Sequence, residues 1–514
     1  MNEQPRQSLR ELVARHGQSV ALDARRCEGL LKDYSAQYRR EVSVLVSALE
    51  EHVPHDLLGA PAGTPRAVLL KRLARRLSDN RALSGPAAAW AVNSWALALG
   101  LISDEDLRAS EEAAAAAGAG DGAGDDRQAD HPAGGAARPA SDLSTAGAPT
   151  DADTVVASAG GGGDYATIAE ALANVAHGGR VLVRPGVYEE EIILEKRVEI
   201  VGEGPRDEVI VRGVGASCLK SSAESGRVAG LTLRGAAAGG APAFAVEVTG
   251  GELVLEDCDV SSETLSCVAA HGPGVTASLK RCRVHDGADS GLYFFDGASA
   301  TVEDCEVDGN ANVGVAVTGG ATAVVRRSKV YGGANAGVVA WQGGEATLEE
   351  CEVYGNRLAG LGVSEGARLT ARSCRVHGGE NSGVFVHHEG EAVLEGCELS
   401  GHRKAEAAVM TGGRLFLNGC EVRRGHDSGV IALDGGQALL QACAVSGNAG
   451  AGASVGSDSV LAVLSSRIND NARFAVEVAA GATARVEDTD LTGNGLGPWD
   501  VGDGAQVESE RNTD

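Results

Sequence analysis

Cys351-Glu352-Val353-Tyr354-Gly355-Asn356, then Gly360-Leu361-Gly362-Val363, then Arg368-Leu369-Thr370-Ala371-Arg372-Ser373-Cys374: across these residues the chain passes from one cysteine to the next. Apolar side chains fall at every second position of three short stretches, which is the period of a strand with one face inward. Glycine and polar residues separate the stretches. The interval then recurs. Cys282, Cys305, Cys351, Cys374, Cys397, Cys420 and Cys443 lie on one 23-residue grid, with Cys258 a step of 24 earlier. The grid points without cysteine hold Ser328, Ser466 and Thr489, all small.

Two residues beyond each grid point runs an apolar column: Val260, Val284, Val307, Val330, Val353, Val376, Leu399, Val422, Val445, Ile468 and Leu491. Alternation places it with the cysteines on the inward face of one strand. A second strand follows a corner glycine at Gly291, Gly314, Gly337, Gly360, Gly383, Gly429 and Gly452. A third lies near Val302, Val325, Leu348, Leu394, Leu417 and Leu440. A fixed period of this length marks a solenoid. Three strands per coil with glycine corners make the fold class mainly β, a right-handed parallel β-helix. No C-x2-C spacing is present, so neither a metal centre nor a disulfide set is expected of the cysteines, and no cofactor is called for. They are read as a buried, reduced stack.

The positions beside each cysteine carry charge. Two residues before it stand Glu256, Lys280, Glu303, Arg326, Glu349, Arg372 and Glu395; one residue after it stand Asp259, Arg283, Glu306, Lys329, Glu352, Arg375 and Glu398. Neighbours in each series have opposite sign, which stacked coils ~4.8 Å apart require. Exposed pairs add little stability, so the ladder fixes register. The repeat is therefore a double coil of 46 residues.

Outward residues of the strand after the corner glycine alternate in size. Tyr293, Val339, Phe385 and Ile431 recur, separated by Ala316, Gly362 and Ala408; two residues on, Phe295, Trp341, His387 and Leu433 recur, separated by Thr318, Ser364 and Met410. With aromatics only 3% of the chain, bulky rows about 9.6 Å apart with shallow troughs between them form the candidate binding strip: Tyr293, Phe295, Trp341, Phe385, His387, Ile431 and Leu433. His387-His388-Glu389 is the densest titratable cluster, with His387 outward and the other two at a corner. His285 and His377 are equivalent, four coils apart, too far to share a ligand. Asn310, Asn356, Asn448, Asn471 and Asn494 read as corner residues that bond the backbone.

Outside the repeats, Thr154-Val155-Val156 opens the solenoid. Thr167-Ile168-Ala169-Glu170 has the form of a capping box, and a helix at about 167–177 is expected to cover the first coil's open end. Residues 111–153 are Ala, Gly, Asp, Pro and Ser, a composition that predicts a disordered tether. Residues 1–110 have helical periodicity: Leu9, Leu12 and Val13; then Cys27, Leu31, Tyr34, Tyr38, Val42, Leu45 and Leu49; then a start at Thr64-Pro65 with Leu69, Leu73 and Leu77 on one face; then Ser84 to Gly100 with Trp90 and Trp95. A small bundle is predicted. The net charge is −26, yet residues 1–112 hold 15 basic and 15 acidic side chains, so the excess lies beyond them. Such an acidic surface argues against nucleic acid and anionic membranes as partners. No secretory signal or long apolar run is visible, and a cytoplasmic location is expected.

Gly163-Asp164-Tyr165-Ala166-Thr167-Ile168-Ala169-Glu170-Ala171-Leu172, Gly186-Val187-Tyr188-Glu189-Glu190 and Val201-Gly202-Glu203-Gly204 together resemble the opening of pectin methylesterases. The coils from about 228 resemble the repeats of pectate-lyase-like β-helix proteins, which include carbohydrate-binding proteins, sugar hydrolases and F-box substrate receptors. The resemblance implies the fold over about 154–510. An esterase would need a paired-Asp, Gln and Arg constellation. Tyr293-Phe294-Phe295-Asp296-Gly297 has its acid at the wrong end of the family motif, and Leu496-Gly497-Pro498-Trp499 lacks the Arg. No groove with two carboxylates and a basic residue on neighbouring coils can be assembled from the sequence. Trp90-Ala91-Val92 through Trp95 to Gly100 is similar to the ending of small domains joined to bacterial signalling and repeat proteins, implying a docking role. The expected function is thus a non-catalytic binding scaffold for a protein or carbohydrate partner. A carbohydrate-active lyase or esterase is the alternative, and a self-assembling structural protein, a homo-oligomer, the third reading.

Overall fold

The computed structural model describes residues 153–214, 217–236 and 243–514, with 4–16, 39–50, 53–58, 85–99 and a few single positions before them. Cys27, Tyr34, Tyr38, the Thr64-Pro65 start, Leu69 and the tether as far as 152 lie outside the described residues. The chain divides into units 1–145 and 146–514.

In the first unit, helices Gln4–His16, Arg39–Glu50, Val53–Leu58 and Gly85–Ala98 bury Leu9, Leu12, Leu45, Leu49, Trp90 and Trp95. The two tryptophans are held by polar handles as well as by packing. Trp95 Nε1 donates to the Leu45 carbonyl at 2.9 Å, and the Arg6 guanidinium lies 5.4 Å over the Trp90 ring.

The second unit is a right-handed parallel β-solenoid whose coils feed three sheets of 16, 13 and 14 strands. One coil runs Glu345–Glu349 in the first sheet, Glu352–Tyr354 in the second and Leu361–Val363 in the third. Register between coils is exact across the repeats: Glu345 pairs Arg368, Glu352 pairs Arg375 and Leu361 pairs Val384. Val330, Val353, Val376, Leu348 and Leu394 are all buried, so the sequence columns do line the interior.

The cysteines sit elsewhere than expected. They precede the second-sheet strand, at the corner it makes with the first sheet, and not within the strand. The residue before each is in the left-handed region, with Glu350 at φ +55° and Ser373 at +51°. A non-glycine residue there costs about 1 kcal/mol. The bend points the next N–H into the solenoid, away from the strand ladders. The side chain of the following coil accepts it: Cys351 N–H bonds Cys374 Sγ at 3.4 Å, Cys374 N–H bonds Cys397 Sγ at 3.4 Å, and Cys305 N–H bonds Ser328 Oγ at 3.0 Å. Each thiol in turn donates to the carbonyl two residues behind it, as Cys351 does to Glu349 at 3.3 Å. The column therefore needs a small side chain that both accepts and donates, which Cys, Ser and Thr share.

The corner also separates the two charge series, which lie on different sheets and not on one face. On the first, Arg372 bonds Glu395 at 2.8 Å and Arg326 bonds Glu349 at 2.7 Å; on the second, Arg375 reaches Glu352 at 3.8 Å and Glu398 at 3.6 Å.

The capping helix is Ile168–Asn174, shorter than expected. Thr167 Oγ1 accepts from Glu170 N–H at 3.1 Å, while the Glu190 carboxylate accepts from Ile168 and Ala169 N–H at 2.9 and 2.7 Å. Tyr188 is buried, its hydroxyl donating to the Arg184 carbonyl at 2.8 Å. The esterase-like opening thus builds the cap.

The asparagines do bond the backbone, but from inside. Asn310, Asn356, Asn448 and Asn471 are buried. Asn356 Oδ1 accepts from Gly333 N–H at 3.0 Å, and Asn448 Nδ2 donates to Asn471 Oδ1 at 2.9 Å. One coil departs from this rule twice. His402 stands in the asparagine column and Glu406 in the corner-glycine column; both are fully buried, and they hydrogen-bond each other. Glu406 also accepts from His402 N–H at 2.9 Å.

Two outcomes are expected. Ten described cysteines are free and buried, and burial pushes the Cys218 thiol up to about 12. Labelling native protein with a thiol reagent should therefore modify few of them until denaturant is added; rapid labelling of most would contradict the stack. Removing one member of the buried pair, as in His402→Ala, should cost about 3–5 kcal/mol by leaving Glu406 unpaired. The double change His402→Asn/Glu406→Gly restores the pattern found two coils away on either side, Asn356 with Gly360 and Asn448 with Gly452, and should be at least as stable as the parent. Guanidinium unfolding midpoints decide, and a double variant weaker than His402→Ala would refute the account.

Candidate functional site

The third sheet carries the strip. Strand Leu292–Phe295 buries Leu292 and Phe294 and turns Tyr293 and Phe295 outward, half-buried. Trp341, Phe385, His387, Ile431 and Leu433 share that outer face and are likewise half-buried. His388 and Glu389 form the exposed corner, at φ +44° and +61°. At either end the face becomes charged, with Lys220 and Glu247 on one side and Glu477 and Asp500 on the other.

The rings do not stand as separate rows with troughs between. Phe295 stacks on His271 at 4.6 Å between centroids and on Tyr293 at 4.5 Å, and Trp341 lies parallel to Tyr293 at 6.4 Å. Leaning along the solenoid axis, these rings cover the small rungs at Ala316 and Thr318, which are buried, while Gly362, also buried, has Val339 packed over it. The expected troughs are filled because a bulky side chain on every second coil has a vacant site beside it. Phe295 is stacked on two other rings and so offers its edge rather than a free face. Burial, with His388 beside it, lowers the His387 pKa, so the ring is neutral at neutral pH.

The second sheet holds a constellation that the sequence reading missed. His285 Nε2 lies 3.0 Å from Asp259 Oδ1 on the preceding coil, and its Nδ1 lies 2.8 Å from Asp286 Oδ2. Arg283 binds Asp308 on the following coil through two nitrogens at 3.1 and 3.0 Å. Beyond Asp308 the column continues as Tyr331, Tyr354 and His377, stacked at 4.7 and 5.1 Å. Two carboxylates and basic groups do therefore meet on neighbouring coils. The signal was a column three residues past each grid point: His285, Asp308, Tyr331, Tyr354, His377. Reading the charges beside each cysteine only as a register ladder hides it. Chemically the group is committed, since both nitrogens of His285 and the Arg283 guanidinium already hold carboxylates. His377 is similarly tied to Glu352 at 3.1 Å.

A groove of about 610 Å³ lies apart from both faces, at the first–second corner near the C-terminal coils, lined by Ala442, Ala444, Ser466, Arg467, Asp490 and Arg511. Its arginines are paired, Arg467 with Asp490 at 3.3 Å and Arg511 with Asp488 at 2.7 Å. Among the described residues no three His, Cys, Asp or Glu side chains are grouped as metal ligands, and no helix is long and apolar enough to cross a membrane.

A family profile described as "right handed beta helix region" matches residues 229–374, 266–414 and 359–514, together more than half of the chain. Among solved structures, the A-module of the Azotobacter vinelandii mannuronan C-5 epimerase AlgE6 is 14% identical, with a TM-score of 0.37 over 67% of this chain and 93% of that one. The periplasmic alginate epimerase AlgG is 13% identical, TM-score 0.39, over 64% and 78%. The catalytic domain of a GH87 α-1,3-glucanase, in complex with tetrasaccharides, is 11% identical, TM-score 0.41, over 71% and 70%.

His285 supplies a prediction. The hydrogen bond that His285 donates to Asp259 is the main cause raising its pKa, with the one to Asp286 adding to it, and the same bond holds Asp259 below the usual carboxylate range. A raised histidine contributes stability below its unfolded value near 6.5, lost as pH rises through the folded value. Titration by NMR should place His285 above 6.5, and Asp259→Asn should bring it down; an unmoved value would rule out the pairing.

Proposed function

The chain belongs to the right-handed β-helix family, and on that scaffold we propose that it is a non-catalytic recognition protein that docks a protein partner on the third sheet's aromatic strip. The observation that carries this reading is the mutual stacking of His271, Phe295, Tyr293 and Trp341 on an outer face. Sugar rings dock on free aromatic faces, and here Phe295 is stacked on two other rings. What is left outward is a rigid, uncharged, apolar band between charged ends, the composition of an interface core with a polar rim. The rings are held by one another before any partner arrives, so little side-chain entropy is lost on binding. The helical unit, tethered by its low-complexity segment, serves on this reading as a docking module. The stacked free cysteines suit a reducing compartment, which favours the cytoplasm.

A second reading, carbohydrate binding or turnover, is favoured by the Asp259–His285–Arg283–Asp308 group and the tyrosine column beside it. Sugar hydroxyls would hydrogen-bond such edges.

Two variants separate these readings. Trp341→Ser/Phe385→Ser should leave the circular dichroism unchanged and weaken a captured protein partner by roughly thirtyfold or more, the effect of losing an aromatic hot spot. His285→Ala/Asp259→Asn should leave that partner's affinity unchanged. Oligosaccharide binding in a glycan panel, abolished by the second variant and indifferent to the first, would overturn the proposal in favour of the carbohydrate reading.

A further inference from the structure

The first sheet has its own uncharged patch, and it carries an inference independent of the strip. Along most of that sheet the last outer residue of each strand is charged, and from Glu256 to Glu395 the sign alternates coil by coil. The series lapses at Asn418, and the next two coils carry no outward charge on that sheet. Gln437, Leu439 and Gln441 form one outer row, and Val460, Ala462 and Leu464 the next. The row before them is Arg414, Phe416 and Asn418. Val460 is 42% exposed, and Phe416, Leu439 and Leu464 are half-exposed. Charge returns on both sides, as Glu391 and Glu395 before the patch and as Arg485 and Glu487 after it.

The rows are complementary to themselves when reversed about Leu439. One coil before it stands bulky Phe416 and one coil after stands small Ala462. Two coils before stand Glu391 and Glu395, with Val393 between them; two coils after stands Arg485. Three coils before stands Arg372 and three coils after stands Glu510. A two-fold axis along the strand direction through Leu439 brings each of these pairs into opposition. Leu439 then meets Leu439, Phe416 enters the space above Ala462, and Arg372 faces Glu510, while the aliphatic stem of Arg414 lies over Val460 and Asn418 comes opposite Leu464 at the edge. Arg485 sits between the two glutamates. Glu395 also comes opposite Glu487, but each has an arginine of its own, at 2.8 and 2.7 Å. Self-complementarity under a two-fold is what an isologous interface requires, and a foreign partner would have no need of it.

We infer that this patch is the interface of an antiparallel homodimer, with two copies of the chain joined first sheet to first sheet about Leu439. Seven coils at ~4.8 Å by five residues at ~3.3 Å give a footprint of about 550 Å² per copy. Standard interfaces bury about 600–1,000 Å² per partner, so the association is weak and concentration-dependent.

The experiment is sedimentation velocity of the full chain over about 1–100 μM, a range in which weak dimers of this size titrate. The parent should shift from one chain to two across it. Leu439→Glu should raise the dissociation constant at least roughly thirtyfold, as a hot-spot loss at an interface centre does. Glu510→Arg should weaken association by setting like charges face to face, and adding Arg372→Gln should recover part of it, with unchanged circular dichroism in both. Failure of Arg372→Gln to recover association overturns the antiparallel arrangement. A parent that stays single throughout, or a dimer that survives Leu439→Glu or is abolished instead by Trp341→Ser/Phe385→Ser, overturns the interface.

Discussion

The bend between the first and second sheets sets a single chemical demand, and the solenoid is organised around meeting it. A residue in the left-handed region turns the chain and leaves the next backbone N–H pointing into the interior, where an unbonded donor would be costly. Water cannot reach it, and the strand ladders do not extend to it. The next coil's side chain must therefore present an acceptor at that height, and must do so once per coil. Cysteine, serine and threonine satisfy this while donating back to their own chain, so the corner is closed by a vertical chain of bonds running along the solenoid. The asparagine column repeats the device nearer the third sheet, where Asn356 Oδ1 takes the Gly333 N–H.

Because these columns lock each coil to the next, the outer faces inherit their registration. A residue's neighbours along the solenoid are those 23 positions away, and surface chemistry is written in columns. Opposite charges alternate, rings stack, and where one column falls silent, as around Leu439, the gap is as sharply defined as the charges around it. The three outer faces consequently differ in kind: an ion-paired face with one bare patch, a face on which His, Asp and Tyr stand in a column beside a second ion-pair ladder, and an apolar face of stacked rings. A single fold presents all three without any of them distorting the others.

The solenoid, its coil length and the outward placement of Tyr293, Phe295 and Trp341 could be read from the sequence because strand alternation and a fixed interval leave direct traces in residue type. The corner could not. Glu350 and Ser373 are not the glycines that usually announce left-handed backbone, so alternation alone assigns the cysteines to the strand they merely precede. That one-residue difference in where the strand begins merged two charge series into one face and hid Asp259, His285 and Asp308. The leaning of the rings over Ala316 and Thr318 was also out of reach, since it depends on rotamers chosen to fill space. The pair His402 and Glu406 did leave a trace: two columns break in the same coil, four residues apart. A gap in a repeat is easily passed over as noise, although a paired gap signals that two interior positions were exchanged together.

The 46-residue period has a bearing on how such a chain can change in length. With Arg372 set between Glu349 and Glu395, and Arg375 between Glu352 and Glu398, excising one coil would bring acid against acid on two sheets at once. It would also bring bulky rows onto adjacent rungs of the third sheet. Deleting or duplicating two coils leaves every one of these columns in phase. Growth by tandem duplication is thereby quantised in pairs of coils, and the coil holding His402 and Glu406 gives the otherwise periodic interior a fixed origin from which its rungs can be counted.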